Sequence, residues 1–140
     1  FFDPTPANNR SSVTASAGPF AFHALLPCRL VDTRVSGPAL AANTTRTFTL
    51  TGQCQVPSDA SAVAVMLIAV RPGDPGDLRL YPAGLPLPNS SALAFNRNRD
   101  RAGNAIVPLG LGGQVDVRCD MPAGSAASTH FVLDVFGYWR

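Results

Sequence analysis

Hydrophobic and polar positions alternate with a period of two over short stretches of this chain, and turn-forming residues interrupt them before a helical face can build up. In TTRTFTLT, residues 44–51, Thr45, Thr47, Thr49 and Thr51 fall on one face while Arg46, Phe48 and Leu50 fall on the other. That is the pattern of a strand with one wet face. AVAVMLIAV, residues 62–70, is apolar on both faces and predicts a central strand covered by a layer on each side. Further strands are predicted at 20–26, 77–82, 91–96, 105–109, 114–119 and 130–138. Between them, PGDPGD at 72–77 and NRNRDRAGN at 96–104 supply the Gly, Asp and Asn that tight connections need. About eight short antiparallel strands at roughly ten-residue intervals predict an all-β domain, a β-sandwich or jelly-roll-like body over residues 20–140. Residues 1–19, small and polar with three prolines, predict an extended N-terminal arm.

Composition sharpens this picture. Every base is Arg and every acid is Asp; Lys and Glu, common on exposed helix faces, are absent. With 13 Pro and 12 Gly there is no uninterrupted helical window. A net charge of +2 without a basic stripe predicts no nucleic-acid partner. The longest apolar run is about half of what a membrane-spanning helix needs. Three cysteines suit one disulfide and one leftover thiol in an oxidising compartment, and a first residue of Phe fits a mature chain whose leader has been removed. Secretion is the expectation.

LLPCRLVDTR, residues 25–34, places Cys28, Arg29, Asp32 and Arg34 directly behind an apolar run. An aspartic-protease loop needs Asp-Thr followed by Gly or Ser, and Arg34 stands there instead, pinning the carboxylate as an anion. A zinc site needs clustered ligands, and Cys28 has none at suitable spacing. The remaining reading is a structural clasp, in which Asp32 accepts hydrogen bonds from backbone N–H groups or from Arg29 or Arg34 while Cys28 bridges to Cys54. His130 and Asp134 share a strand face at a separation of about 13 Å, too far for a base and its orienting carboxylate. No nucleophile elbow or zinc-protease motif appears. No enzymatic activity and no cofactor are expected.

Other candidates have plainer alternatives. Asp74 and Asp77, with Asp59, Asp116 or Asp120, are possible calcium ligands, though as turn formers they need no ion. Arg97, Arg99 and Arg101 in one loop, with Tyr81 and Trp139, are the candidate contacts for a glycan. Cys119 reads as a buried, unreactive thiol, with reinforcement of subunit contacts as the alternative.

Taken in order, LLPCRLVDTR, TGQCQVPSDASAVAVMLIAV, GDLRLYPAG, SALAFN, NAIVPLGLGGQVDVRC and HFVLDVFGYW resemble a poorly characterised β domain that recurs in secreted and cell-surface proteins of bacteria. The resemblance covers roughly residues 22–139 and implies an extracellular structural or adhesive module without established catalytic residues. Cys119 and the arm lie outside its pattern.

The arm suggests a polymer. Burying one phenylalanine is worth about 1.5–3 kcal/mol, so Phe1 and Phe2 need cover. Eighteen extended residues reach about 60 Å, whereas a body of this size is roughly 35 Å across. A stretch such as SSVTASAGPFAF adding itself to a neighbour's sheet edge would give a head-to-tail homopolymer. Its contacts would be Phe1, Phe2, Val13, Phe20 and Phe22. The expected function is that of a secreted subunit of an extracellular filament assembled by donor-strand exchange. The alternative is a carbohydrate-binding or adhesive module of a cell-surface protein.

Overall fold

The computed structural model describes residues 20–140. The arm contacts Phe1, Phe2 and Val13 lie outside the described residues. The described residues form nine strands: β1 Phe22–Asp32, β2 Leu40–Ala41, β3 Thr44–Thr49, β4 Ala62–Val70, β5 Gly76–Pro82, β6 Leu93–Phe95, β7 Arg101–Pro108, β8 Gln114–Asp120 and β9 Ser128–Trp139. A short 3-10 turn at Leu111–Gly113 leads into β8. The first sheet runs β1-β9-β4-β7, with β2 also paired to β9, and the second runs β3-β8-β5-β6. All pairings are antiparallel. The protein is therefore an all-β sandwich, and each of the eight expected strands has its counterpart.

The sheets meet through the side chains that alternation turns inward. Val63, Val65, Leu67 and Ala69 of β4, Phe131, Leu133 and Val135 of β9, and Val115, Val117 and Cys119 of β8 are all buried in one core. Phe48 of the second sheet and Phe131 of the first meet across the interior in a tilted contact with ring centroids 5.6 Å apart. The threonine row of β3 faces outward as predicted, with Thr45, Thr47 and Thr49 opposite Arg118, Asp116 and Gln114. Thr47 Oγ1 donates to Asp116 Oδ1 at 2.6 Å.

Three expectations change. β4 is central, between β9 and β7, but only its inner face is covered by the second sheet; Met66 on the other face is 38% exposed. An apolar run on both faces predicts two covering layers, and the described residues supply one. β1 continues past Leu26 to Asp32, because a register shift between Ala24 and Cys28 accommodates Pro27, which has no N–H for the ladder. Phe22 belongs to the body and not to a free arm: it pairs with Trp139 in its own sheet, and Ala21 and Arg140 exchange backbone hydrogen bonds at 2.8 and 3.3 Å.

Cys28 and Cys54 form a disulfide. Cys28 lies on β1 of the first sheet and Cys54 in the turn after β3 of the second, so the bond ties the sheets together at their edge. Cys119 is a free, fully buried cysteine. Burial is the main cause that pushes its thiol up to about 11, which leaves it protonated and inert at neutral pH.

Candidate docking face

The outward face of the first sheet carries both the clasp and an exposed apolar surface. Strand register arranges it in cross-strand rows. Phe22, Trp139, Ala62 and Pro108 form the first, and Ala24, Gly137, Ala64 and Ile106 the second. Arg29, Asp134, Met66 and Asn104 form the third, and Asp32, Val132, Ile68 and Ala102 the fourth. The first two rows are apolar, and charge enters at the third.

The clasp occupies the charged end. Asp32, the last residue of β1, accepts from the Arg34 backbone N–H at 3.0 Å, from Arg34 Nε at 2.9 Å and from Arg34 Nη2 at 2.7 Å. Arg29 bridges outward from it. Its Nη1 donates to Asp32 Oδ2 at 3.4 Å, and its Nε and Nη2 grip both carboxylate oxygens of Asp134 at 2.8 and 3.1 Å. Thr33 between them is buried, and its Oγ1 accepts the Phe131 backbone N–H at 2.8 Å while also contacting His130 Nδ1 at 3.1 Å. The motif thus fastens the end of β1 to β9. Arg29, Asp32 and Arg34 come together as expected; Asp134 and Thr33 are the members that sequence reasoning missed. His130 and Asp134 have separate partners, Thr33 and Arg29.

The hydrogen bonds from the Arg34 side chain, outweighing some desolvation, hold the Asp32 carboxyl well below the usual carboxylate range. A folded-state value below the unfolded one means that the unfolded chain binds the extra proton. The clasp's contribution is therefore complete above the unfolded value, near pH 4, and fades as pH falls further. The difference in Tm between the native protein and Asp32→Asn is expected to stay constant from about pH 7 to 5 and to shrink below about pH 4. A difference that grows on acidification would refute the assignment.

The apolar end is built around a glycine. A Cβ on Gly137 would stand 2.3 Å from the Phe22 ring, so only glycine lets that ring lie flat on the sheet. Phe22 then reaches Trp139, with centroids 4.7 Å apart, yet remains 48% exposed. Phe136 sits at the register shift between Gly137 and Val135 and adds a further aromatic side chain. Together with Ala64, Asn104 and Ile106, these aromatics line an open depression of about 540 Å³. Ile106 is 67% exposed on β7, which among the described residues pairs with β4 alone. Phe20, just before β1, is 64% exposed.

The second sheet's outward face is mostly polar, with Tyr81 opposite Asp116 and Ala94 opposite Asp77 as its exceptions. Beyond the threonine row it carries Gln114, Asp116, Arg118 and Asp120 on β8, with Asp77 and Arg79 opposite the last two in reverse order. Asp77 faces Asp120 directly, and desolvation first, then the Asp120 charge, raise its pKa despite Arg79. Arg79 Nε stands 2.9 Å from Asp120 Oδ2, but the pair lacks hydrogen-bond alignment. Replacing Asp77 by Asn removes a carboxylate that the fold disfavours. Asp77→Asn is expected to raise stability at pH 7 by about 0.2–1 kcal/mol, the usual cost of like charges placed opposite each other, as read by denaturant titration. A loss of stability would show that the Arg79 contact dominates.

The remaining candidates are dispersed. Asp74 accepts from Ser125 Oγ at 2.6 Å, Asp116 from Thr47, and Asp59 lies 3.7 Å from Arg140. Among the described residues no three metal-ligating groups converge. Arg97 and Arg99 in the β6–β7 connection and Arg101 at the start of β7 are exposed, and Arg99 and Arg101 line a hollow of about 320 Å³ with Asn96 and Asp100. Asp100 caps the end of β4 by accepting the Arg71 backbone N–H at 2.8 Å. Tyr81 is a correction: only 8% exposed and on the second sheet, it is not brought to Trp139 on the first. The five expected glycan contacts do not form one site.

No protein-family model matches the sequence, and no curated protein does. Among solved structures the chain is similar to the coat protein of Tobacco streak virus. A dimer structure of that protein gives a TM-score of 0.44 at 11% identity, covering 85% of this chain and 87% of that one. A second structure of it gives 0.40 at 12% identity, covering 88% and 90%.

Proposed function

We propose that this protein is a non-enzymatic structural subunit of an extracellular or cell-surface filament, in which residues 1–19 of one copy engage the body of the next. The observation that carries this reading is the unlike pair of outward faces. The second sheet offers water a mainly threonine and charge surface, whereas the first offers Phe22, Met66 and Ile106, the last on β7, which among the described residues has one unpaired edge. Exposed apolar patches rimmed by polar groups mark interaction sites, and a free sheet edge is a template for an added strand. The disulfide favours an oxidising compartment, and the bacterial surface domain that the sequence resembles has the same setting.

Because Phe22 is committed to its own sheet, the donor stretch ends before it, within residues 1–19. Sedimentation velocity and negative-stain imaging of the full chain and of a chain lacking residues 1–19 test the reading. Linear assemblies are expected for the first and monomers for the second; monomers in both cases overturn it. The second reading, an adhesive or glycan-binding module, draws on the hollow lined by Asn96, Arg99, Asp100 and Arg101. Glycan binding that survives removal of the arm, in a chain that stays monomeric, would favour it.

A further inference from the structure

We infer that the apolar half of the first sheet's outward face is the seat for Phe1 and Phe2 from a second copy of this chain. This rests on the assembly reading above and adds to it the place where the arm lands.

The seat matches its occupant in chemistry and size. Its wall is aromatic and aliphatic, Phe22, Phe136 and Trp139 with Ala64 and Ile106, and Asn104 is the polar group at its rim. A dry cavity of about 150 Å³ suffices to hold one benzene-sized ring, so a depression of about 540 Å³ has room for two. Within residues 1–19 the only bulky apolar side chains are Phe1, Phe2 and Val13. The other broad surface, the outward face of the second sheet, presents Thr45, Thr47, Thr49 and the charged rows of β5 and β8, and its one aromatic side chain, Tyr81 opposite Asp116, is only 8% exposed, so it offers a phenyl ring less apolar surface.

On the assembly reading the occupant belongs to a second copy. Ala21 is fastened to Arg140, and Phe22 lines the depression itself, so residues 1–19 join the body at the edge of the sheet where the seat begins. Among the described residues β7, at the opposite edge, pairs with β4 alone. An arm of about 60 Å when extended outreaches a body about 35 Å across, so a neighbour's β7 edge lies within range. Main-chain pairing along β7 would then add hydrogen bonds to the aromatic contacts.

Two variants of the full chain test this. Ile106 is exposed, so Ile106→Asp leaves the core intact and its Tm is expected to match the native value. Its self-association constant is expected to fall at least about tenfold, the ratio equivalent to about 1.4 kcal/mol. In the second test, a population carrying Phe2→Cys is mixed with one carrying Ile106→Cys and oxidised. Disulfide-linked pairs of unlike copies are expected, and they are not expected when Thr47→Cys replaces Ile106→Cys. Native chains that assemble while Ile106→Asp assembles equally well, with no cross-link, overturn the seat and leave the filament reading standing. Native chains that remain monomeric defeat the filament reading and the seat with it. A cross-link inside single chains carrying both Phe2→Cys and Ile106→Cys, at a dilution where copies are separate, also overturns it, because the occupant is then the chain's own arm.

Discussion

Replacing both disulfide partners, Cys28→Ser with Cys54→Ser, is expected to lower the stability of the body by about 3.5 kcal/mol. The bond spans a sequence separation of 26 residues, and the chain-entropy relation assigns that loop about this value. For a domain of this length the loss corresponds to a fall in Tm of about 10–15 °C. Position adds to loop length. Cys28 sits just after the register shift of β1, an edge strand of the first sheet, and Cys54 lies in the turn leaving an edge strand of the second. Few other contacts hold the two edges at that corner, so the reduced chain should open there first. Hydrogen exchange should show Leu30 and Val31 losing protection well before β4. Equal protection of both strands in the double variant, or a stability loss under about 1 kcal/mol, would remove the disulfide from its role as a tie between sheets.

The other large effect belongs to Phe131→Ala, expected to cost about 3–5 kcal/mol by denaturant titration. Phe131 is fully buried in the strand shared by β1 and β4, and its ring meets Phe48 across the sandwich. Its backbone is also held at both groups, because Phe131 N–H donates to Thr33 Oγ1 and Thr33 N–H donates to Phe131 C=O at 3.0 Å. The strand therefore cannot slide to close the void left by the ring. By contrast Met66→Ala, on the outward face of β4, is expected to cost under about 1 kcal/mol in a monomer. If Phe131→Ala costs no more than Met66→Ala, the core has been drawn on the wrong side of the first sheet.

What the sequence reveals of this fold depends on distance along the chain. Alternation places Thr45, Thr47 and Thr49 on the wet side of β3, and the apolar density of residues 62–70 makes β4 central, because both signals are carried by neighbouring residues. The same density is silent on what covers each face, so Met66 and Ile106 as exposed apolar positions emerge only from the packing. Asp32 and its flanking arginines announce a clasp, but Asp134 is 105 residues from Arg29 and no local pattern names it. Thr33 hides within the same motif, since a threonine in a polar stretch looks solvated until Phe131 takes its hydroxyl. β2, at two residues, is too short for any periodicity. Phe22 falls in the predicted strand 20–26 and also among the expected contacts of the arm, and no local pattern decides between them, because the ring's resting place, the bare backbone of Gly137, lies at the opposite end of the chain.

The two unlike outward surfaces also make the isolated body a surfactant in miniature. At an air–water or oil–water boundary it is expected to lie with Trp139 and Ile106 in the nonaqueous phase and the threonine row in the water. Monomers spread on such a film would then share one tilt, and a mild nonionic detergent would compete with them for the same half.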